Sequence, residues 1–255
     1  MAANEPGQPD PSASLTTYEL AVPASALAIG AHPDDVEFGG GGTLAKWAAA
    51  GCIVHHLVLT DGSKGTWNPD ADVRTLIAER QREQREAARR LAGDRAGEVV
   101  FLSQVDGELE HGLTLRGEVA RVIRTLQPEV VLGHDPWKRY RLHPDHREAG
   151  LLTCDGIVAA RDPHFFKEHG LPAHRPTTLL LWEADEPDHV EDVSEFVAAK
   201  LHALEAHESQ FESTMKAVDP AQLTAFRDRI AARLSGLGAR YGVGSAEVFK
   251  RISDL

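Results

Sequence analysis

Ala26-Leu27-Ala28-Ile29-Gly30-Ala31-His32-Pro33-Asp34-Asp35-Val36-Glu37 runs from a purely apolar stretch straight into a histidine and two adjacent carboxylates. A short apolar run that stops at such a cluster predicts a buried strand whose end presents ligands. His143-Pro144-Asp145-His146 repeats the recipe about 110 residues later, beyond a second strand-like run, Val130-Val131-Leu132. Two such clusters predict one divalent-metal site assembled from two loops, with a carboxylate left over to act as a base.

Outward from these clusters, short β-type runs alternate with longer helical stretches. Ala26–Ile29 precedes a helix over 40–50, and Ile53–Leu59 precedes a charged helix over 72–91. Val99–Leu102 leads to a helix over 115–126, Val130–Leu132 to one over 147–160, and Thr178–Trp182 to a helix-rich end. The alternation predicts an α/β fold: a three-layer sandwich with a mainly parallel sheet, Rossmann-like in its N-terminal half. In open sheets of this kind ligands bind beyond the carboxyl ends of the strands. Both His-Pro-Asp clusters fall at such ends, as does Thr60-Asp61-Gly62. Residues 1–17, rich in Pro, Ala, Ser and Asn, predict a flexible tail, and 18–255 a single domain. Asp219-Pro220 predicts a capped helix whose stripe of Leu223, Phe226, Ile230, Leu234 and Leu237 closes the core or meets another subunit. A homo-oligomer is compatible with that stripe. The stretch 162–176 is expected to be a long loop bordering the site.

Composition narrows the partners. With 27 Lys and Arg against 39 Asp and Glu, the net charge of −12 argues against a nucleic-acid surface and against an anionic membrane. No apolar run approaches the ~20 residues that span a bilayer. Two cysteines, Cys52 and Cys154, lack paired spacing and predict free thiols in a reducing compartment, so the expected location is cytoplasmic. A small-molecule substrate is the expected partner.

A catalytic zinc site takes three protein ligands at about 2.0–2.2 Å and leaves one position open. His32 and one of Asp34 or Asp35 supply two ligands, and His143 or His146 the third. The other aspartate then faces the water, whose pKa a bound cation lowers to about 7, and takes its proton as it attacks a carbonyl. The remaining histidine donates to the developing oxyanion. Zinc suits such a donor set, and iron(II) accepts it too.

The string from Ala31 to Gly39, with the following glycines and Thr43-Leu44-Ala45, resembles the PIG-L or LmbE-like zinc-dependent de-N-acetylases when taken together with His143-Pro144-Asp145-His146. The resemblance extends from about residue 28 to 207 and includes Leu59-Thr60-Asp61-Gly62, 80–91 and 203–210. It implies His32, Asp35 and His146 as metal ligands and Asp34 as general base. It further implies Asp145 as the carboxylate that orients a catalytic histidine, and His143 as the histidine that stabilises the tetrahedral intermediate or protonates the amine. The function implied is hydrolysis of the N-acetyl group of an N-acetylglucosamine-type amino sugar or its glycoside. An amidase of thiol-sugar conjugates uses the same chemistry on a bulkier acyl group. Mycothiol-pathway members carry a carbonyl-polarising tyrosine two residues before the first histidine of the second motif, where this chain has Arg141, with Tyr140 one place earlier. Trp137, Tyr140 and Arg141 offer an aromatic face and a cation to the substrate, and Arg80 joins them as a candidate substrate-binding residue.

Plainer readings stand beside these. His55 and His56 lie in a β-type run and are expected to be structural. His207 suits packing or capping as well as function, and His134-Asp135 is poised to line a pocket. A non-catalytic binder would not need Asp34, Asp145 and His143 together, because binding requires no proton shuttle. Gly40-x-Gly42-x-x-Ala45 formally satisfies a dinucleotide fingerprint, with Asp61 as the ribose acid. The true fingerprint follows its strand at once, whereas here the His-Pro-Asp-Asp segment intervenes. The glycines are expected instead to turn the chain into its helix and keep side chains out of the metal pocket.

Overall fold

The computed structural model describes residues 16–255. The expected tail lies outside the described residues as far as 15. At its far end Thr17 is already paired with His189, within a short strand β1 (Thr17–Tyr18).

Strand β2 (Ser25–Gly30) is buried from Ala26 onward, and its alternation shows how. Leu27 and Ile29 point to one face of the sheet and Ala26 and Ala28 to the other, as a period of two requires. Both faces are covered, so the strand is apolar from Ala26 to Ile29. On the first face Leu27 and Ile29 pack with Val119, Ile123, Leu152 and Ile157 of helices α3 (Leu113–Leu126) and α4 (Pro144–Arg161). On the second, Ala26 and Ala28 meet Leu44, Trp47, Leu91 and Ala203. These come from helices α1 (Asp35–Ala49), α2 (Val73–Ala92) and α5 (Val197–Leu204).

The remaining strands are β3 (Ile53–Thr60), β4 (Ala96–Gln104), β5 (Val130–His134), β6 (Thr178–Trp182), β7 (His189–Asp192) and β8 (Ala246–Ser253). With β1 and β2 they form, among the described residues, one eight-stranded sheet in the order β1-β7-β8-β6-β5-β2-β3-β4. Every pairing is parallel except those of β8 with β6 and β7. The chain leaves β2 through α1 to β3 on one side, while β5 flanks β2 on the other. This reversal opens a crevice at the carboxyl ends of β2 and β5, the topological switch point where ligands bind in such sheets.

The helix expected over 40–50 begins earlier, at Asp35, so the glycines lie inside it rather than ahead of it. Gly40 breaks the helical geometry with φ −141° and ψ 17°. A Cβ on Gly39 would come within 2.4 Å of the Trp182 ring, and one on Gly42 within 2.9 Å of Val193. The glycines therefore let α1 lie against the sheet, and only Gly39 also lines the pocket. The expected helix cap holds: Asp219 accepts from the backbone N of Gln222 at 2.8 Å at the start of α6 (Pro220–Tyr241). Phe226 and Leu234 of α6 are buried.

The stretch 162–176 does not border the site. Arg124 gathers the carbonyls of Ala159, Asp162 and Phe165, and His174 Nε2 reaches the carbonyl of Pro128 just ahead of β5. The loop is thus tied to the amino end of the sheet, away from the crevice.

Candidate active site

Five strand ends build one cavity of about 530 Å³. His32 and Asp35 follow β2, Lys64 and Gly65 follow β3, and Asp106 and Gly107 follow β4. His134 ends β5, with His143 and His146 at the start of α4, and Trp182 and Glu183 end β6. Phe38, Gln210, Thr214 and Arg233 close the wall.

His32, Asp35 and His146 offer donor atoms within 4.8 Å of one another. Asp35 Oδ2 lies 3.3 Å from Nδ1 of His32, and Oδ1 lies 3.3 Å from Nε2 of His146. Donors bound tetrahedrally at 2.0–2.1 Å stand about 3.4 Å apart, close to the separation that Asp35 Oδ1 and His146 Nε2 show. The tautomer of His32 points the same way. Its Nε2 faces two carboxylates, Asp106 at 3.2 Å and Asp145 at 3.0 Å, and must carry a proton to do so. Nδ1 of a neutral ring is then a buried lone pair, left free for a cation shared with Asp35 and His146. Burial by itself lowers the basicity of His32, but hydrogen bonds to Asp106, Asp145 and Asp35 overcome it and hold the ring well above its ordinary value. The position attracts a proton when nothing else fills it.

The two neighbouring aspartates sit in opposite electrostatic settings. Burial alone would raise Asp35, yet the adjacent His146 and His134 hold it well below the carboxylate range. Asp34 is raised to about 6 by burial, against the opposing pull of Arg80 and with help from the charge of Asp35. Its backbone adopts φ 101°, in the left-handed region, at a cost of about 1–3 kcal/mol for a residue other than glycine. The surroundings hold it there. Its N–H donates to Gln84 Oε1 at 2.9 Å, and its carboxylate lies 3.5 Å from Arg80. Behind Gln84 a buried network continues, through Gln84 Nε2 to Glu37 Oε1 at 2.8 Å and from Glu37 Oε2 to His207 Nε2 at 3.2 Å. His207 is therefore packed within this network, as is His56, whose Nδ1 stands 3.1 Å from Gln84.

Asp145 is fully buried and accepts from the backbone N of Gly107 and Leu109. The histidine it contacts is His32, where the resemblance assigns it to a catalytic histidine. His143, the N-cap position of α4, is exposed at the mouth, stacked on His146 with ring centroids 4.7 Å apart. Burial, together with the nearby His32 and His146, lowers its basicity, which leaves it a neutral hydrogen-bond donor near pH 7.

The candidate substrate-binding residues fare differently. Trp137 and Tyr140 are 64% and 88% exposed and do not line the cavity. Arg141 is buried beside it, with one guanidinium nitrogen 2.9 Å from Glu183, 3.3 Å from His134 Nδ1 and 3.2 Å from His146 Nδ1. Tyr140 does not stand where a carbonyl-polarising group would, because it sits at φ 60° with its side chain turned to solvent, while the Arg141 nitrogen beside the site is paired with Glu183. Arg80 lines the cavity but is committed to the carbonyls of Gly62 at 2.9 Å and Pro33 at 2.6 Å. It clamps two loops around Asp34. Asp61 accepts from the backbone N of Ser63 and Asp106, so the carboxylate assigned to a ribose in the dinucleotide reading is already spent. Two residues not singled out as ligands or orienting groups are central here. Asp106 was detectable as a carboxylate just past a strand, by the rule that found Asp61, and His134 as the histidine closing β5.

Residues 27–156 match the family described as PIG-L, GlcNAc-PI de-N-acetylase. Diacetylchitobiose deacetylase of Thermococcus kodakarensis is 36% identical over 188 residues, covering 72% of this chain and 69% of that protein. Mycothiol S-conjugate amidase of Streptomyces coelicolor is 30% identical over 163 residues, 56% of this chain and 54% of that one. The solved structure of N,N'-diacetylchitobiose deacetylase from Pyrococcus horikoshii superposes with a TM-score of 0.81 at 28% identity, covering 91% of this chain and 84% of the other.

Proposed function

From its membership of the PIG-L de-N-acetylase family, we propose that this chain is a metal-dependent hydrolase that removes the N-acetyl group of an N-acetylglucosamine-type amino sugar or its glycoside. The observation that carries the reading is the opposed setting of two adjacent carboxylates on one cavity wall. Asp35 is kept charged among imidazoles, and Asp34 is raised to about 6. Such a pair divides a ligand from a base.

His32, Asp35 and His146 would hold the cation, and zinc is the metal we assign to two imidazoles and one carboxylate. A divalent cation supplies Lewis acidity there, drawing charge from an amide oxygen and making water easier to deprotonate. Asp34 takes the proton from the water as its oxygen bonds to the carbonyl carbon. Its strained backbone, held by Gln84 and Arg80, keeps the carboxylate aimed into the cavity. His143, neutral and at the mouth, donates an N–H to the oxyanion as it develops. Asp34 then returns the proton to nitrogen as the C–N bond breaks, releasing acetate and a free amine.

Among the described residues no helix is long and apolar enough to cross a membrane. The unpaired Cys52 and Cys154 suit a reducing compartment, and we place the protein in the cytoplasm.

A panel of N-acetylated amino sugars and glycosides, with one thioether conjugate of a thiol sugar, tests the assignment through the free amine released. Amine from the N-acetylated sugars supports deacetylation. Cleavage of the conjugate alone would assign the amidase reaction instead, and no amine from any member would sink both.

A further inference from the structure

His134 ends β5 with its side chain buried and its ring stacked on that of His146, centroids 4.4 Å apart. Its Nδ1 lies 3.0 Å from the indole Nε1 of Trp182, a group that can only donate. A guanidinium nitrogen of Arg141, likewise only a donor, stands 3.3 Å away. Nδ1 must therefore accept, and the ring's proton sits on Nε2. That nitrogen faces Asp35 Oδ2 at 3.2 Å. We propose that His134 is a positioning residue: fixed by Trp182 as an Nε2–H donor, it occupies Oδ2 of Asp35 and leaves Oδ1 to meet the cation. The inference rests on the metal-centre reading above.

Oδ2 also accepts from the backbone N of His32 at 2.7 Å, so both of its lone-pair directions are taken. Oδ1 is the oxygen turned toward His146 Nε2. A carboxylate with both oxygens free can grip a cation with two atoms and fill a position that water or substrate needs. One with a tied oxygen grips with a single atom and keeps the position open. The glycine run belongs to the same device. The Trp182 ring lies where a Cβ of Gly39 would be, so only glycine at 39 leaves the indole close enough to hold His134.

The test uses the full chain and reads zinc affinity by competition with a chromophoric chelator, together with the visible spectrum of the cobalt(II)-loaded protein. His134→Phe keeps a stacked ring but no donor, and His134→Gln returns an N–H near the position of Nε2. The Phe variant is expected to bind zinc about 10–100-fold more weakly, the scale of losses when a partner of a metal ligand is removed. Its cobalt absorption should weaken as Asp35 grips with both oxygens and the coordination number rises. The Gln variant should recover most of the affinity and the spectrum. Where the Phe variant does not fold, His134→Asn replaces it, because its amide is too short to reach Asp35. Wild-type affinity and spectrum in the donor-less variant would overturn the proposal. So would a Gln variant as impaired as the Phe variant, since the ring's packing rather than its N–H would then be the cause. A wild-type chain that takes up no cation would overturn the metal-centre reading itself, and this inference with it.

Discussion

Asp34 and Asp35 differ by one position and by nearly everything that sets a carboxylate's chemistry. Asp35 is surrounded by imidazoles, while Asp34 stands apart from them on a strained backbone and pairs only distantly with Arg80. Asp34→Asn keeps a side chain that tolerates positive φ and loses only the base. We expect it to retain its full metal content, measured by atomic spectroscopy, and to lose about 10²–10⁴ in kcat, the usual range for general-base loss. His146→Ala should lose both metal and activity in the same two assays. A base must be ionised to act, so with Asp34 at about 6 the rate is high above that pH and falls as pH drops through it. A cation close by stabilises the ionised form, which moves the acid limb of a kcat/KM profile to about 6 or below. An acid limb well above pH 6 would assign the base to another group. The sequence made the cluster visible because its members are packed into two short strings. The choice of Asp35 over Asp34 came from resemblance, since adjacent residues in a loop carry no label for direction. His134, Asp106 and Gln84 were less legible as supporting groups, because each comes from a separate strand or helix and only the fold brings them together.

At the scale of elements, the central strands and their helices were readable from hydrophobic pattern alone, β2 above all. The pattern failed where pairing rather than burial decides. β7 is short, and β8 alternates only loosely in burial, yet β8 inserts antiparallel between β6 and β7. The glycines of α1 misled in another way. Their composition suggested a turn, whereas close packing against Trp182 and Val193 is what demands them. Gly39→Ala should accordingly destabilise the protein by about 1–3 kcal/mol in chemical denaturation, the cost of forcing atoms into a filled site. Asp219→Ala should cost about 1 kcal/mol in the same measurement through loss of the cap of α6, with metal affinity unchanged. Equal stability of Gly39→Ala and the parent would mean that the indole is not held as described.

Across the whole molecule, function follows from topology. A mostly parallel sheet whose winding reverses beside β2 leaves a crevice, and five strand ends deliver histidines and carboxylates to it. The chain's negative charge suits a neutral sugar rather than a polyanion, in keeping with the amino-sugar class proposed. Substrate choice was the least legible property. The aromatic residues offered for it, Trp137 and Tyr140, stand outside the cavity, and its walls come from Phe38, Gln210, Thr214 and Arg233, scattered along the chain. One cation held by His32, Asp35 and His146 is expected to be required for amide hydrolysis. Stripping the protein with a chelator, titrating zinc back and following amine release from an N-acetylated amino sugar reads that requirement. The rate should be abolished by stripping, rise in proportion to bound zinc and level off at one ion per chain, whereas full turnover by the metal-free protein would show that hydrolysis needs no cation.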